Sequence, residues 1–150
     1  MEKEKIVALV LAAGTGKRMQ SSTAKQYMLL GGKPLVCYAL EAFERSPVDE
    51  VILVTGEKEI DYCKNDIVKK YGYQKVTRVV AGGKERYHSV YQGLKAIGQA
   101  DYVLIHDGAR PFVTEDIICR SIDTVKKEKA CVVGMPVKDT IKIATEDTYA

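Results

Sequence analysis

A segment near the amino terminus has the residue types of an anion-binding loop. The segment Leu11–Met19 reads LAAGTGKRM and directly follows the apolar run Ile6–Leu11. Its alanines and glycines let backbone N–H groups approach an anion closely, and Lys17, Arg18 and the later Lys25 supply positive charge. The loop therefore predicts a cradle for a nucleoside triphosphate. The alternative is a tight strand-to-helix turn beside a solvated basic stretch.

Two common phosphate-binding templates do not fit this loop. A P-loop needs GxxxxGK followed by Ser or Thr, but here Arg18 follows Lys17 and Leu11 stands at the first glycine position. A dinucleotide-binding GxGxxG needs a third glycine, where this chain has Met19, and an acidic residue closing the second strand. The sequence therefore disfavours both a P-loop NTPase and an NAD-dependent oxidoreductase.

The segment HDGARPF carries the second set of candidates. Asp107 comes after an apolar run and can hold Mg²⁺ or another divalent cation while nucleotide phosphates supply further oxygens. The alternative is a helix cap or turn former. Arg110 can bind a second phosphate through paired hydrogen bonds. His106 is better explained as a packed strand-end residue than as a base.

Two further segments follow apolar runs. In Gly82–Arg86 the paired glycines permit close backbone contact with a flat base, and Ser89 on the next helix can point back to the ligand. Ser89 can equally be an ordinary helix residue. The segment Lys138–Lys142 reads KDTIK and is either a fourth functional loop or a surface turn before an edge strand.

The apolar pattern places these loops between alternating strands and helices. Apolar residues at helical spacing predict helices over Leu35–Arg45 and about Glu85–Ile97, and Thr114 can cap another. Continuous apolar runs predict five strands, at Ile6–Leu11, Val51–Val54, Val76–Val80, Tyr102–Ile105 and Ala130–Val133. This alternation predicts an α/β fold with three layers and a doubly wound, mostly parallel sheet. Ligands of such sheets bind at the carboxyl ends of the strands, so we expect the loops to converge on one crevice.

The bulk composition argues against several classes of protein. The 150 residues carry a net charge of only +3, with mixed signs along the chain, which favours neither nucleic acid nor membrane as a partner. The four cysteines form no CxxC pair and predict reduced thiols in a cytoplasmic protein rather than a zinc site. The apolar run after Lys3 and Lys5 is better explained as a buried strand than as a targeting segment.

Taken together, the motifs resemble those of the 2-C-methyl-D-erythritol 4-phosphate cytidylyltransferase family. They occur in the family's order as LAAGTGKRM, KQY (Lys25–Tyr27), GGKERYHSV (Gly82–Val90), HDGARPF (His106–Phe112) and PVKDTIK (Pro136–Lys142). The resemblance implies a Rossmann-like nucleotide-diphospho-sugar transferase fold. It also implies transfer of CMP from CTP to 2-C-methyl-D-erythritol 4-phosphate. The products would be 4-diphosphocytidyl-2-C-methyl-D-erythritol and pyrophosphate, in non-mevalonate isoprenoid biosynthesis.

The resemblance further implies roles for single residues. Arg18 and Lys25 would be catalytic, because they would stabilise the crowded α-phosphate. Asp107 would bind Mg²⁺, and Arg110 and Thr140 would place the sugar-alcohol phosphate. The residues expected to bind CTP are Ala12, Ala13, Gly14, Lys25, Gly83, Ser89, Asp107 and Gly108.

The sequence departs from the family pattern in residues and in length. Ala24 stands where the family usually has proline, and Lys84 stands where some members have an acidic residue. Family chains are longer, and the part after KDTIK forms an arm exchanged between subunits. We therefore expect a single nucleotidyltransferase domain over residues 1–150, incomplete at its carboxyl end, with the start of a dimerisation arm near 137–150. The full-length protein is expected to be a homodimer.

Two alternatives to this function stay open. Ribitol 5-phosphate cytidylyltransferases are similar in fold and CTP loop, but they tend to read AGG where this chain has AAG at Ala12–Gly14. The chain could also be a CTP-binding module without turnover, since an arginine and a lysine that help to place the substrate in the family have no counterpart here.

Overall fold

The computed structural model describes residues 3–14 and 23–141. The strands in chain order are β1 (Ile6–Ala12), β2 (Leu29–Leu30), β3 (Lys33–Pro34), β4 (Glu50–Thr55), β5 (Val76–Ala81) and β6 (Tyr102–Asp107). Four of them form a parallel sheet in the order β5-β4-β1-β6, and β2 pairs antiparallel with β3. All four parallel strands therefore present their carboxyl ends at one edge of the sheet.

Helices connect the strands of the main sheet. They are α1 (Leu35–Arg45), α2 (Ile60–Tyr62) continuing as a π-helix (Cys63–Lys69), α3 (Arg86–Ala96) and α4 (Glu115–Glu128), with short 3₁₀ helices at Lys25–Tyr27 and Glu57–Glu59. The bounds predicted for α1 are confirmed. The predicted cap of α4 is confirmed as well, because the Ile117 backbone N–H donates to Thr114 Oγ1 at 3.3 Å.

Apolar side chains cover both faces of the sheet. Every residue of β1 is buried, as expected for a central parallel strand. One face packs against α1, the π-helix and α4 through residues such as Phe43 and Ile118, and the other packs against α3 through Leu9 and Val90. The predicted three-layer, doubly wound α/β fold is confirmed.

The prediction of a fifth strand at Ala130–Val133 is wrong. This segment has no regular secondary structure, and Val132 and Val133 are 96% and 62% exposed. Residues 131–134 lie beside α4, where they line a cavity of about 210 Å³ with Ile117 and Arg120, instead of pairing with β6. An apolar run forms a strand only when a ladder partner and an apolar cover meet it together, and here the described residues supply neither.

The segment named as the start of a dimerisation arm is described only in part. Residues 137–141 are exposed and irregular, and residues 142–150 lie outside the described part of the chain. Within the described ranges, no helix is both long and apolar enough to cross a membrane.

Candidate active site

The loops after the parallel strands meet at one edge of the sheet. The Gly82 backbone N–H donates to the Thr55 carbonyl at the end of β4, at 2.7 Å. The Gly108 backbone N–H donates to the Leu11 carbonyl in β1, also at 2.7 Å. These two hydrogen bonds join the turns after β5 and β6 to the neighbouring strands, so that the three glycine-containing turns lie around one crevice.

The first turn is held by a side chain from the next element. Gln26, in the 3₁₀ helix Lys25–Tyr27, is only 5% exposed. Its Nε2 donates to the Ala12 carbonyl at 2.7 Å and to the Gly14 carbonyl at 2.9 Å. Ala13 and Gly56 help to line a cavity of about 180 Å³ beside this turn. The described part of the predicted triphosphate cradle is thus a turn of small residues that the Gln26 side chain holds by hydrogen bonds.

Tyr27 fixes the same 3₁₀ helix to the core. Its hydroxyl donates to the Ala12 carbonyl at 3.2 Å and lies in hydrogen-bonding contact with the Thr55 hydroxyl and, at 3.3 Å, with Cys63 Sγ. Burial raises the pKa of Tyr27 well above its ordinary value, so the hydroxyl remains protonated and able to donate. Lys25, the first residue of this helix, is exposed beside the turn.

The turn after β5 is tight because it lacks side chains. A Cβ on Gly82 would lie 2.5 Å from the Ala13 Cβ and 2.6 Å from Ser89 Oγ, which no side chain can tolerate. The Gly83 backbone N–H donates to Ser89 Oγ at 3.1 Å, and Ser89 is 4% exposed. Ser89 therefore stabilises the double-glycine turn directly, and the base predicted here would meet a preformed backbone surface.

Asp107 lies between two arginines. Arg86 donates through Nε to Asp107 Oδ1 at 3.1 Å, and Arg110 donates through Nε to Oδ2 at 3.1 Å. The Asp107 side chain is one-third exposed, whereas both guanidinium groups are largely exposed. Gly108 follows with its backbone against β1, where a Cβ would lie 2.9 Å from the Leu11 carbonyl oxygen. The carboxylate thus faces the crevice with two exposed guanidinium groups beside it.

The oxygen ligands of Asp107 suit a hard divalent cation, but they do not form a complete site. The described residues include no cluster of three or more His, Cys, Asp or Glu side chains that could hold a metal ion. A cation at Asp107 would therefore need phosphate oxygens and water as further ligands, which is the usual pattern for Mg²⁺. It would also share the carboxylate with the two guanidinium groups or replace one of them.

His106, in the last part of β6, packs against α1. Its ring packs edge-on against Phe43, with the centroids 5.6 Å apart. Burial lowers the pKa of His106 below its ordinary value, and its Nδ1 makes no hydrogen bond within the described part of the protein. This placement agrees with a packed strand-end histidine.

One predicted site residue is not brought to the crevice, and another is not among the residues that the structure describes. Arg18 lies outside the described residues. Thr140 is exposed in the irregular stretch after α4. Within residues 3–14 and 23–141, the hydrogen bonds and ion pairs of Asp107 and Arg110 go to other residues. Arg110 itself, predicted to bind a phosphate, is paired with Asp107.

Three residues of the crevice were not predicted to have a role there. Gln26 and Tyr27 lie in the KQY motif, and Arg86 lies in the GGKER segment, but no pattern in the sequence indicates a partner for any of them. Their hydrogen bonds span 14, 15 and 21 residues along the chain. The only signal in the sequence for Gln26 and Tyr27 was the presence of an amide and a phenol directly after Lys25.

Comparison with known proteins decides the family. The sequence model of 2-C-methyl-D-erythritol 4-phosphate cytidylyltransferase matches residues 6–149. The chain belongs to this family. The motif-based prediction of the family is therefore confirmed.

Individual relatives of this cytidylyltransferase family agree. The curated protein of that name from Lachnoclostridium phytofermentans is 56% identical over 144 residues, covering 96% of this chain and 62% of the relative. The one from Lachnospira eligens is 51% identical, covering 95% and 63%. The crystal structure of 4-diphosphocytidyl-2C-methyl-D-erythritol synthase from Anaerococcus prevotii superposes with a TM-score of 0.82 at 36% identity, covering 97% of this chain and 61% of that one. The chain thus spans a little over three-fifths of the length of these relatives.

Proposed function

We propose that this chain carries the nucleotide-binding part of a cytidylyltransferase that transfers CMP from CTP to 2-C-methyl-D-erythritol 4-phosphate. The observation that carries the proposal is the family match over residues 6–149, on a chain whose three glycine-containing turns surround one crevice. The proposed products are 4-diphosphocytidyl-2-C-methyl-D-erythritol and pyrophosphate, in non-mevalonate isoprenoid biosynthesis.

In the proposed reaction, a phosphate oxygen of the sugar alcohol attacks the α-phosphorus of CTP. A new P–O bond forms, and the bond to the β-phosphate oxygen breaks, so that pyrophosphate leaves with the electron pair. Positioning and charge stabilisation supply most of the rate in such displacements. We assign the stabilisation of the α-phosphate to Lys25 and Arg18.

The remaining residues have proposed roles in binding. Ala12, Ala13 and Gly14 hold the triphosphate through the backbone, while Gly83 and Ser89 form the surface for cytosine. Asp107 would hold Mg²⁺, which would neutralise triphosphate charge, and Gly108 would lie beside the ribose and phosphates. Arg110 exchanges its contact with Asp107 for the phosphate of the second substrate, and Thr140 contributes to the same subsite.

The proposal extends to assembly and location. We infer a homodimer, built with an arm that begins near residues 137–150, and a cytoplasmic protein. Bacterial relatives of the same family name support the inference on location.

Release of pyrophosphate tests the reaction. The chain is incubated with CTP and Mg²⁺ and with either 2-C-methyl-D-erythritol 4-phosphate or ribitol 5-phosphate. The family match favours the former as the acceptor, and faster release with ribitol 5-phosphate would overturn the substrate assignment.

A second candidate is a CTP-binding module without turnover. One observation favours it: within the described residues, the Arg110 side chain pairs with Asp107 and makes no hydrogen bond with Thr140. Calorimetric titration with CTP and with NAD⁺ separates the cases. Binding of CTP without pyrophosphate release supports the module, whereas tighter binding of NAD⁺ contradicts both candidates.

A further inference from the structure

We propose that Gln26 is a positioning residue that shapes the turn after β1 for the triphosphate and sets the place of Lys25 against it. The inference rests on the proposed function, because it assigns a task to the same crevice. Gln26 is a buried side chain that contacts the turn from the interior of the protein.

The hydrogen bonds of Gln26 use both protons of its amide. Nε2 lies 2.7 Å from the Ala12 carbonyl oxygen and 2.9 Å from that of Gly14. One side chain thus turns two carbonyls of the same turn toward itself. Because C=O and N–H point in opposite directions in a trans peptide, the Ala12 contact directs the Ala13 N–H away from Gln26. When these carbonyl oxygens point toward Gln26 and away from the crevice, they repel a bound anion less.

The same contacts couple the turn to Lys25. Lys25, Gln26 and Tyr27 form one 3₁₀ helix, which has no side-chain cap at its amino end. Its attachment to the turn therefore comes from Gln26 and from the Tyr27 hydroxyl, which also donates to the Ala12 carbonyl. Lys25 is carried on an element that is fixed directly to the turn.

A neutral amide is the side chain that this position requires. Methionine has a similar length but no donor, so the Gly14 carbonyl would lose this partner and the Ala12 carbonyl would keep only the Tyr27 hydroxyl. A carboxylate would put negative charge against two carbonyl oxygens and near the triphosphate. Asparagine keeps both donors but is one methylene shorter.

Nucleotide binding to the Gln26→Met variant tests the proposal. We expect the Kd for CTP to rise about tenfold, from the loss of two hydrogen bonds that order the turn. The Kd for CMP should rise less than about threefold, because CMP lacks the two outer phosphates. The matched control is Gln74→Met, since Gln74 is exposed before β5 and donates to the Gly72 carbonyl. It should bind both nucleotides like the unaltered chain.

The ratio of the two affinities separates positioning from general damage. An equal loss for CTP and CMP, or an unchanged Kd for CTP in a folded Gln26→Met, would overturn the proposal. Gln26→Asn is the second variant where Gln26→Met fails to fold, and the same selective loss is expected of it. If the unaltered chain does not bind CTP, the proposed function itself fails, and the inference fails with it.

Discussion

The Arg86 guanidinium donates to the Asp107 carboxylate across the crevice, with Nε 3.1 Å from Oδ1. The two residues lie at the beginning of α3 and at the end of β6, so the contact joins two of the turns that surround the site. A cation held by Asp107, as proposed above, would share or replace this guanidinium contact, so charge exchange would be a part of its binding.

Removal of the Asp107 charge should affect function far more than folding. Asp107→Asn is expected to lower Mg²⁺-dependent pyrophosphate release roughly a hundredfold. Its unfolding free energy should change by less than about 1 kcal/mol, because both ion pairs are solvent-exposed. The matched control is Asp116→Asn, which removes the exposed pair with Arg120 and should keep full activity. Unchanged release in Asp107→Asn would contradict the metal assignment.

Truncation of Lys25 should separate chemistry from binding. In Lys25→Ala we expect kcat for pyrophosphate release to fall by more than the affinity for CTP, since the proposed role is stabilisation of charge in the transition state. Steady-state kinetics together with calorimetric titration measure the two effects. Lys127→Ala, an exposed lysine of α4, is the control. A rise in the Kd for CTP with kcat intact would show that Lys25 only binds the nucleotide.

A methyl group at Gly82 should distort the crevice. The added Cβ would lie 2.5 Å from the Ala13 Cβ, so Gly82→Ala is expected to destabilise the fold by about 1–3 kcal/mol and to weaken CTP binding. Denaturant unfolding and nucleotide titration measure both. Gly98→Ala is the control, because a Cβ there meets no atom within 4 Å. If Gly82→Ala matched the control in stability and CTP binding, the result would contradict the close approach of the turn after β5 to the turn after β1.

Loss of the Tyr27 hydroxyl should weaken the support of the first turn. Tyr27→Phe removes the contacts to the Ala12 carbonyl, Thr55 and Cys63 from a buried site. We expect the unfolding free energy to fall by about 1–3 kcal/mol, because buried groups lose a partner. Tyr91→Phe, at a 58% exposed residue of α3, should leave stability unchanged. Equal stabilities of the two variants would remove the proposed anchoring role.

Acid should remove the stabilisation supplied by Glu50. Hydrogen bonds from Lys5 and Thr77 hold the pKa of Glu50 below its ordinary value of 4.5. A carboxyl with a lowered pKa in the folded state stabilises the fold above its ordinary pKa, and this contribution is lost as the pH falls from that value through the lowered pKa. The unaltered chain should therefore exceed Glu50→Gln by about 1 kcal/mol at pH 7, and the difference should shrink as the pH falls below 4.5.

Unfolding by urea at several pH values measures this difference. Glu128→Gln, at an exposed residue of α4, is the control and should follow the unaltered chain throughout. A constant gap between Glu50→Gln and the unaltered chain would mean that the Glu50 ion pair does not contribute.

Local pattern was sufficient for most elements of this fold. The apolar spacing of Leu35–Arg45 predicts α1 with its observed bounds, and the continuous apolar run of β1 predicts a strand covered on both sides. The same rule failed at Ala130–Val133, because an apolar run does not specify the edge with which it pairs. Strand formation there depends on non-local contacts.

The sequence predicted which loops form the candidate site, but not the side-chain hydrogen bonds that join them. Topology brings the carboxyl ends of parallel strands together, so Gly83 and Asp107 could be placed at one edge of the sheet from sequence. The partners of Gln26 and Arg86 depend on side-chain directions across distant elements, which no periodicity encodes. These contacts required the three-dimensional arrangement.

The complete burial of β1 has a consequence for local opening of the protein. A central strand paired on both sides and covered on both faces exchanges its amide hydrogens only when the whole domain opens. The first turn of the crevice starts at the carboxyl end of this strand, whose residues are all buried. We therefore expect local movement of the first turn to start only beyond Ala12. The β1 side of the crevice should stay in place when other parts of the protein open locally.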